Sequence, residues 1–174
     1  DGGFDSLEGF CSRVDLRRVN KRTVEALVSC GTFDASGHDR DVLLHNVARA
    51  VDCGARHQRD KAAGQFNLFG GGDDDDSSLE MEYEVPQERL SKRAILRLEK
   101  AALGFYVSGH PLEGHTQELK ELGIWTTEAI IENGKDGEEI MLGGVVAMMN
   151  ERRARSGNLM GILSMEDLLG RVET

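Results

Sequence analysis

Ser108 and His110, two residues apart, and a second histidine at His115 are the residues whose types first suggest catalysis or metal binding. A nucleophilic serine needs a base and oxyanion donors, and two histidines astride Pro111 lack a third ligand, so the group reads as a turn. Cys11, Cys30 and Cys53 are odd in number and far apart, as befits reduced, buried thiols in a cytoplasmic protein rather than a zinc knuckle or a disulfide set. The chemistry that remains is recognition. Gln65-Phe66-Asn67-Leu68-Phe69 places two adjacent large apolar side chains after a glutamine, in a stretch too polar to make a core. Leu68 and Phe69 read as anchors for a partner's pocket with the Gln65 amide at its rim. The competing reading folds Phe66 and Phe69 back onto their own domain.

The chain has 174 residues, 39% apolar, with 21 Lys and Arg against 31 Asp and Glu for a net charge of -10. That balance argues against a surface coated for nucleic acid, but the charge is uneven. Acids gather at Asp73 to Asp76, while Arg13, Arg17, Arg18, Lys21 and Arg22 form one basic cluster and Arg152, Arg153 and Arg155 another. Any DNA contact is expected from those two clusters, of which the ordinary alternative is a solvated face. No apolar run is long enough for a bilayer, so no membrane partner is expected. Asp1-Gly2-Gly3-Phe4 carries neither a basic start nor an apolar stretch, and reads as the beginning of a fragment rather than a secretory signal.

Several elements must position these residues. Ser6 is placed to cap a helix with Leu7, Phe10, Cys11 and Val14 on one face, and Asn20 a second with Val24, Leu27 and Val28 inward. Gly31 ends that helix and Phe33 folds back over its last turn. A third helix is expected from about Asp39 with the stripe Leu44, Val47, Ala48 and Val51, continuing as a polar extension past His57. Two short helices joined by Asp15-Leu16-Arg17-Arg18-Val19-Asn20 suggest a helix-hairpin-helix unit, whose second helix offers free N–H groups and a positive dipole end to a phosphate. The turn lacks the glycines usual for close phosphate approach, so a copy that only packs stands beside a copy that binds.

Gly70 to Glu84 reads as a mobile acidic linker. A helix follows, with Leu90, Ala94, Leu98, Ala101 and Ala102 as its apolar face, broken at Gly104 and at Gly109-His110-Pro111. Short helices around Thr116 to Leu122 and Glu128 to Glu132 bracket Trp125. Ile140, Leu142, Val145 and Val146 with Gly143-Gly144 predict a bent strand; Arg152 to Gly157 a basic hairpin tip; Leu159 to Met165 a return strand; and Arg171 the start of a third. That succession matches the first half of an OB barrel. The expected fold class is mainly α with a β portion: residues 1–56 a helix-hairpin-helix-type region, 57–89 the binding motif and linker, 90–137 a helical connector, and 138–174 an incomplete OB fold.

Val14 to Arg22 with Glu25-Ala26-Leu27 and Gly31, Gln58-Arg59-Asp60, Gln65 with Leu68-Phe69-Gly70, Leu98-Glu99-Lys100, and Met165-Glu166-Asp167 with Gly170-Arg171 together resemble the C-terminal part of the alpha subunit of bacterial DNA polymerase III. The most specific word is Gly104-Phe105-Tyr106-Val107-Ser108-Gly109-His110-Pro111-Leu112. The resemblance implies that Gln65 to Phe69 holds the sliding clamp, that residues 1–56 contact duplex DNA, that the β portion lies near single-stranded template, and that other replicative holoenzyme subunits are partners. It implies catalytic carboxylates and Mg2+ in palm segments of the parent enzyme, so no catalytic residue, metal ligand or cofactor is expected here. A stand-alone clamp adaptor and an error-prone polymerase paralogue remain as alternatives.

Overall fold

The computed structural model describes residues 4–63, 79 and 81–174, which form two compact units divided between Val107 and Ser108. The first unit begins with α1, Leu7–Arg13, where the Ser6 hydroxyl accepts the Gly9 N–H at 3.1 Å. In α2, Lys21–Ser29, the Asn20 side-chain amide oxygen accepts the Thr23 N–H at 3.0 Å. Each cap satisfies a donor that the first helical turn leaves unpaired. Gly31 adopts a φ of 86° after α2, and the Thr32 N–H reaches back to the Leu27 carbonyl at 3.1 Å. Phe33 is thereby delivered into the core, edge-on to Phe10 at 5.4 Å. These local readings of the sequence hold.

The third helix, α3, spans Arg40–Ala62 and includes the expected polar extension. Its buried face is Val42, Leu43, Asn46, Val47, Ala50 and Gly54, with Ala48 exposed and Leu44 and Val51 only partly covered. The anticipated stripe is therefore rotated, because Asn46 and Gly54 sit on the buried face and neither counts in an apolar pattern. At Gly54 α1 and α3 approach closely: a Cβ there would lie 2.5 Å from the Cys11 carbonyl. One turn on, the Gln58 amide donates to the Cys11 and Val14 carbonyls at 2.9 and 2.8 Å, supplying partners that the end of α1 cannot find within itself. Cys11 is fully buried, and burial pushes its thiol up to about 12, so it serves as a small packing residue.

The fourth helix, α4, is Lys92–Leu103, capped by Ser91 and closed by Gly104 at φ 87°. Leu96 and Glu99 face inward, while Leu90, Leu98, Ala101 and Ala102 are exposed, correcting the expected apolar face. Glu99 is fully buried yet paired: Arg40 lies 3.6 Å from its carboxylate and the Val107 N–H donates to it at 3.0 Å. Arg40 also holds Asp34 at 2.6 Å and donates to the Ser29 carbonyl at 3.3 Å, tying α2, α3 and α4 together.

The second unit contains α5, Thr116–Glu121, and α6, Thr127–Asn133, followed by a sheet of three antiparallel strands in the order β1-β2-β3. These are Val145–Arg153, Leu159–Glu166 and Arg171–Glu173. The register slips between Val146 and Met148, two residues beyond the glycines expected to bend the first strand. Gly144 is a close backbone approach, since a Cβ would meet the Glu166 carbonyl at 2.7 Å. Asp167 pins the β2-β3 turn to α6: its carboxylate accepts the Thr127 N–H and hydroxyl at 2.7 and 2.6 Å, and the Leu169 and Gly170 N–H groups at 2.8 and 2.9 Å. Burial works to raise its pKa, but these hydrogen bonds together hold it below the usual carboxylate value. The arrangement is mainly helical with a small β portion.

Gly54→Ala drives a methyl group into the α1 backbone and is expected to destabilise the first unit by about 1 to 3 kcal/mol. Chemical denaturation of the variant measures this directly.

Candidate nucleic-acid interface

The loop between α1 and α2 is closed by one residue. The Asp15 carbonyl accepts the Arg18 and Val19 N–H groups at 2.9 Å each, and its carboxylate accepts the Arg17 N–H at 3.0 Å. Two stacked turns thus reverse the chain without a left-handed residue, which is how this hairpin dispenses with glycine. Leu16 and Val19 pack on the core, leaving Arg17 and Arg18 outward. Lys21 and Arg22 continue the exposed basic surface onto the first turn of α2, whose leading N–H groups carry the positive end of the helix dipole.

Acidic neighbours temper this surface without closing it. Arg18 lies 3.9 Å from Asp15 and Lys21 3.6 Å from Glu25, in pairs whose side chains are largely exposed. Such contacts contribute at most about 1 kcal/mol, so a phosphate can replace them readily. The hairpin leaves Arg17, Arg18, Lys21 and Arg22 all exposed, two on the loop and two on the first turn of α2.

The second basic cluster is dispersed. Arg152 and Arg153 are consecutive on β1, opposite Met160 and Leu159, so their side chains leave opposite faces of the sheet. Arg155 sits in the turn closed by the Ala154 N–H on the Asn158 carbonyl and by Gly157 at φ 86°. All three arginines are exposed. His110 accepts the Leu112 N–H at 3.2 Å within its turn, and His115 is hydrogen-bonded to Glu118 at 2.9 Å. Among the described residues no three His, Cys, Asp or Glu side chains converge as metal ligands.

Gln65, Phe66, Asn67, Leu68 and Phe69, and the acids Asp73 to Asp76, lie outside the described residues. The chain after them was expected to stay mobile to Glu84, yet Met81 and Tyr83 pack against the helical core. Tyr83 donates to the buried Glu8 carboxylate at 2.5 Å and stacks on His38 at 4.1 Å. Asn46 donates to the Glu84 carbonyl at 2.7 Å and accepts its N–H at 3.0 Å. Arg89 then grips Asp41 and Asp39, each at 2.5 Å. Residues 81–90 form a strap, so the described residues before position 64 and those of the strap belong to one unit. Glu8, Tyr83, Asp41 and Arg89 escaped sequence reasoning because partners 48 or 75 positions apart leave no local pattern; the sole cue was Asp41 beside a helix start.

A family model described as helix-hairpin-helix motif matches residues 1–43, the stretch that contains α1, the basic loop and α2. Across the whole chain, a protein of Pasteurella multocida named DNA polymerase III subunit alpha is 31% identical over 172 residues, 99% of this chain and 15% of that protein. Relatives of the same name in Mycobacterium leprae and Haemophilus influenzae are each 32% identical, over 173 and 176 residues, with the same coverage of both chains. The chain is homologous to one segment of the DNA polymerase III alpha subunit. It spans about 15% of the length of these relatives, and the similarity to DNA polymerase III alpha runs through both compact units rather than the hairpin alone.

Arg89, with its hydrogen bond to Asp41, holds that carboxyl below its ordinary value; burial opposes the shift, and the Leu90 and Val42 N–H groups reinforce it. A lowered folded-state pKa makes the strap's contribution complete above the ordinary carboxylate pKa of about 3.9 and lost as pH falls through the lower folded value. The protection of the Leu90 amide, the intrinsic exchange rate at a given pH divided by the observed one, is expected to fall through that acid window in the natural chain. In Asp41→Asn that protection is already low at neutral pH and changes little with acid.

Proposed function

We propose that this chain is the non-catalytic, clamp- and DNA-holding segment of a replicative DNA-directed DNA polymerase, a cytoplasmic nucleotidyltransferase. The observation that carries the reading is the similarity of 99% of the chain to DNA polymerase III alpha subunits, within which Gln65-Phe66-Asn67-Leu68-Phe69 follows directly on the long α3 helix. Leu68 and Phe69 enter an apolar pocket on a ring-shaped sliding clamp, with the Gln65 amide hydrogen-bonded at its edge. The hairpin surface of Arg17, Arg18, Lys21 and Arg22 holds the sugar-phosphate backbone of duplex DNA without reading sequence. Arg152, Arg153 and Arg155, on an incomplete OB domain, contact single-stranded template.

The function is tethering. The clamp encircles DNA and the hairpin grips the same DNA, so each release of the motif is followed by rebinding at high effective concentration. The four acids at Asp73 to Asp76 keep the motif's surroundings off the phosphates by like-charge repulsion. Nucleotidyl transfer, with its Mg2+ ions and carboxylates, takes place on other segments of the polymerase, alongside the other holoenzyme subunits.

Substituting both Leu68→Ala and Phe69→Ala removes two anchors whose combined loss exceeds about 2 kcal/mol, so clamp affinity is expected to fall at least about 30-fold. Equal affinity of the natural and doubly substituted chains for a purified clamp removes the assignment.

A further inference from the structure

The charged residues of α4 are Lys92, Arg93, Arg97, Glu99 and Lys100. Its one acid is withdrawn from the surface: Glu99 is fully buried against Arg40 and the Val107 N–H. Arg93, Arg97 and Lys100 are spaced 4 and 3 apart, which sets them within about 60° of one another around the helix, one turn after another. Arg93 and Arg97 are exposed and have no ion pair or side-chain hydrogen bond among the described residues. An exposed helix face in an acidic chain ordinarily interleaves both signs. This face carries one.

The residues that follow α4 keep it so. Gly104, at φ 87°, turns the chain out of the helix and sends Tyr106 back, where its ring lies 4.6 Å beneath the Lys100 ammonium. The next residue, Val107, supplies the N–H that helps keep the Glu99 carboxylate inside. The Gly104-Phe105-Tyr106-Val107 stretch, which neither the hairpin nor the clamp motif uses, thus steadies the last cation of the row through the Tyr106 ring and holds Glu99 on the buried side of the helix.

We infer that the Arg93-Arg97-Lys100 face of α4 is a second binding site for the phosphodiester backbone of DNA, separate from the α1-α2 hairpin. The inference rests on the reading of the first unit as a DNA-holding module, and charge complementarity selects the ligand: an extended polyanion matches a linear row of cations at one-turn intervals. Recognition is independent of sequence, because the face offers point and planar charges to phosphates and no apparatus for base edges.

The test compares the natural intact protein, Arg93→Gln/Arg97→Gln, Arg93→Lys/Arg97→Lys and Arg17→Gln/Arg18→Gln, titrating each with duplex DNA of two unrelated sequences across a range of salt. Each lost phosphate contact lowers the slope of log affinity against log salt by about 0.9, so Arg93→Gln/Arg97→Gln is expected to lose about 1.8 on both sequences. The lysine pair keeps the charge and is expected to retain the slope, which separates loss of contact from loss of fold. An unchanged slope in Arg93→Gln/Arg97→Gln beside a reduced one in Arg17→Gln/Arg18→Gln overturns the second site and leaves the hairpin reading standing. Unchanged slopes in both remove the two together. Loss of affinity for an acidic peptide in place of DNA assigns the face to a protein partner and also overturns the inference.

Discussion

The contact between α1 and α3 at Gly54 is the constraint on which the first unit depends. With no side chain at that position, α3 lies against the Cys11 backbone, and Gln58 is brought within reach of two carbonyls at the end of α1. The basic loop begins at the next residue. Its outward arginines are displayed from a fixed origin because the helix before it is capped by the neighbouring helix rather than by solvent, and because Leu16 and Val19 are held in the core from within the loop. If the surface holds phosphates, as proposed, it gains from that rigidity, since little ordering entropy remains to be lost on binding.

Around that contact, buried charge serves as joinery. Arg40 connects the ends of α2 and α4, Asp41 and Arg89 fasten the strap, and Glu8 and Tyr83 close it over α1. Each carboxylate that leaves solvent meets a cation, a phenol or a backbone N–H, as burial of an ionised group demands. In the second unit Asp167 does the same for a turn and a helix start. The acids that dominate the composition are thus of two kinds: paired ones that fix geometry, and exposed ones that set the surface potential.

What the sequence disclosed followed from the range of the interactions. The caps at Ser6 and Asn20, the stop at Gly31, the return of Phe33 and the β1-β2 hairpin are settled within a few residues, and each was legible. The faces of α3 and α4 were not, because Asn46, Gly54 and Glu99 are buried by specific partners and an apolar count treats them as surface. The strap was misread as linker for a related reason. Its glutamates have the composition of a mobile tether, and residues distant in sequence, among them Asn46, Glu8, Asp41 and Arg49, give the strap somewhere to dock. Of the candidate site, the exposure of the hairpin cations was legible from their loop and helix-start positions, whereas Arg152 and Arg153 were adjacent in sequence and divided by the pleat of their strand.

The central claim is that a clamp contact and a DNA contact act through one unit and reinforce each other. The most direct measurement is the affinity of the chain for a clamp loaded on DNA, set against its affinity for free clamp and for the same DNA without a clamp. The account predicts binding to the loaded clamp about 100-fold or more tighter than to either component. An affinity no tighter than that for the stronger of the two components contradicts it.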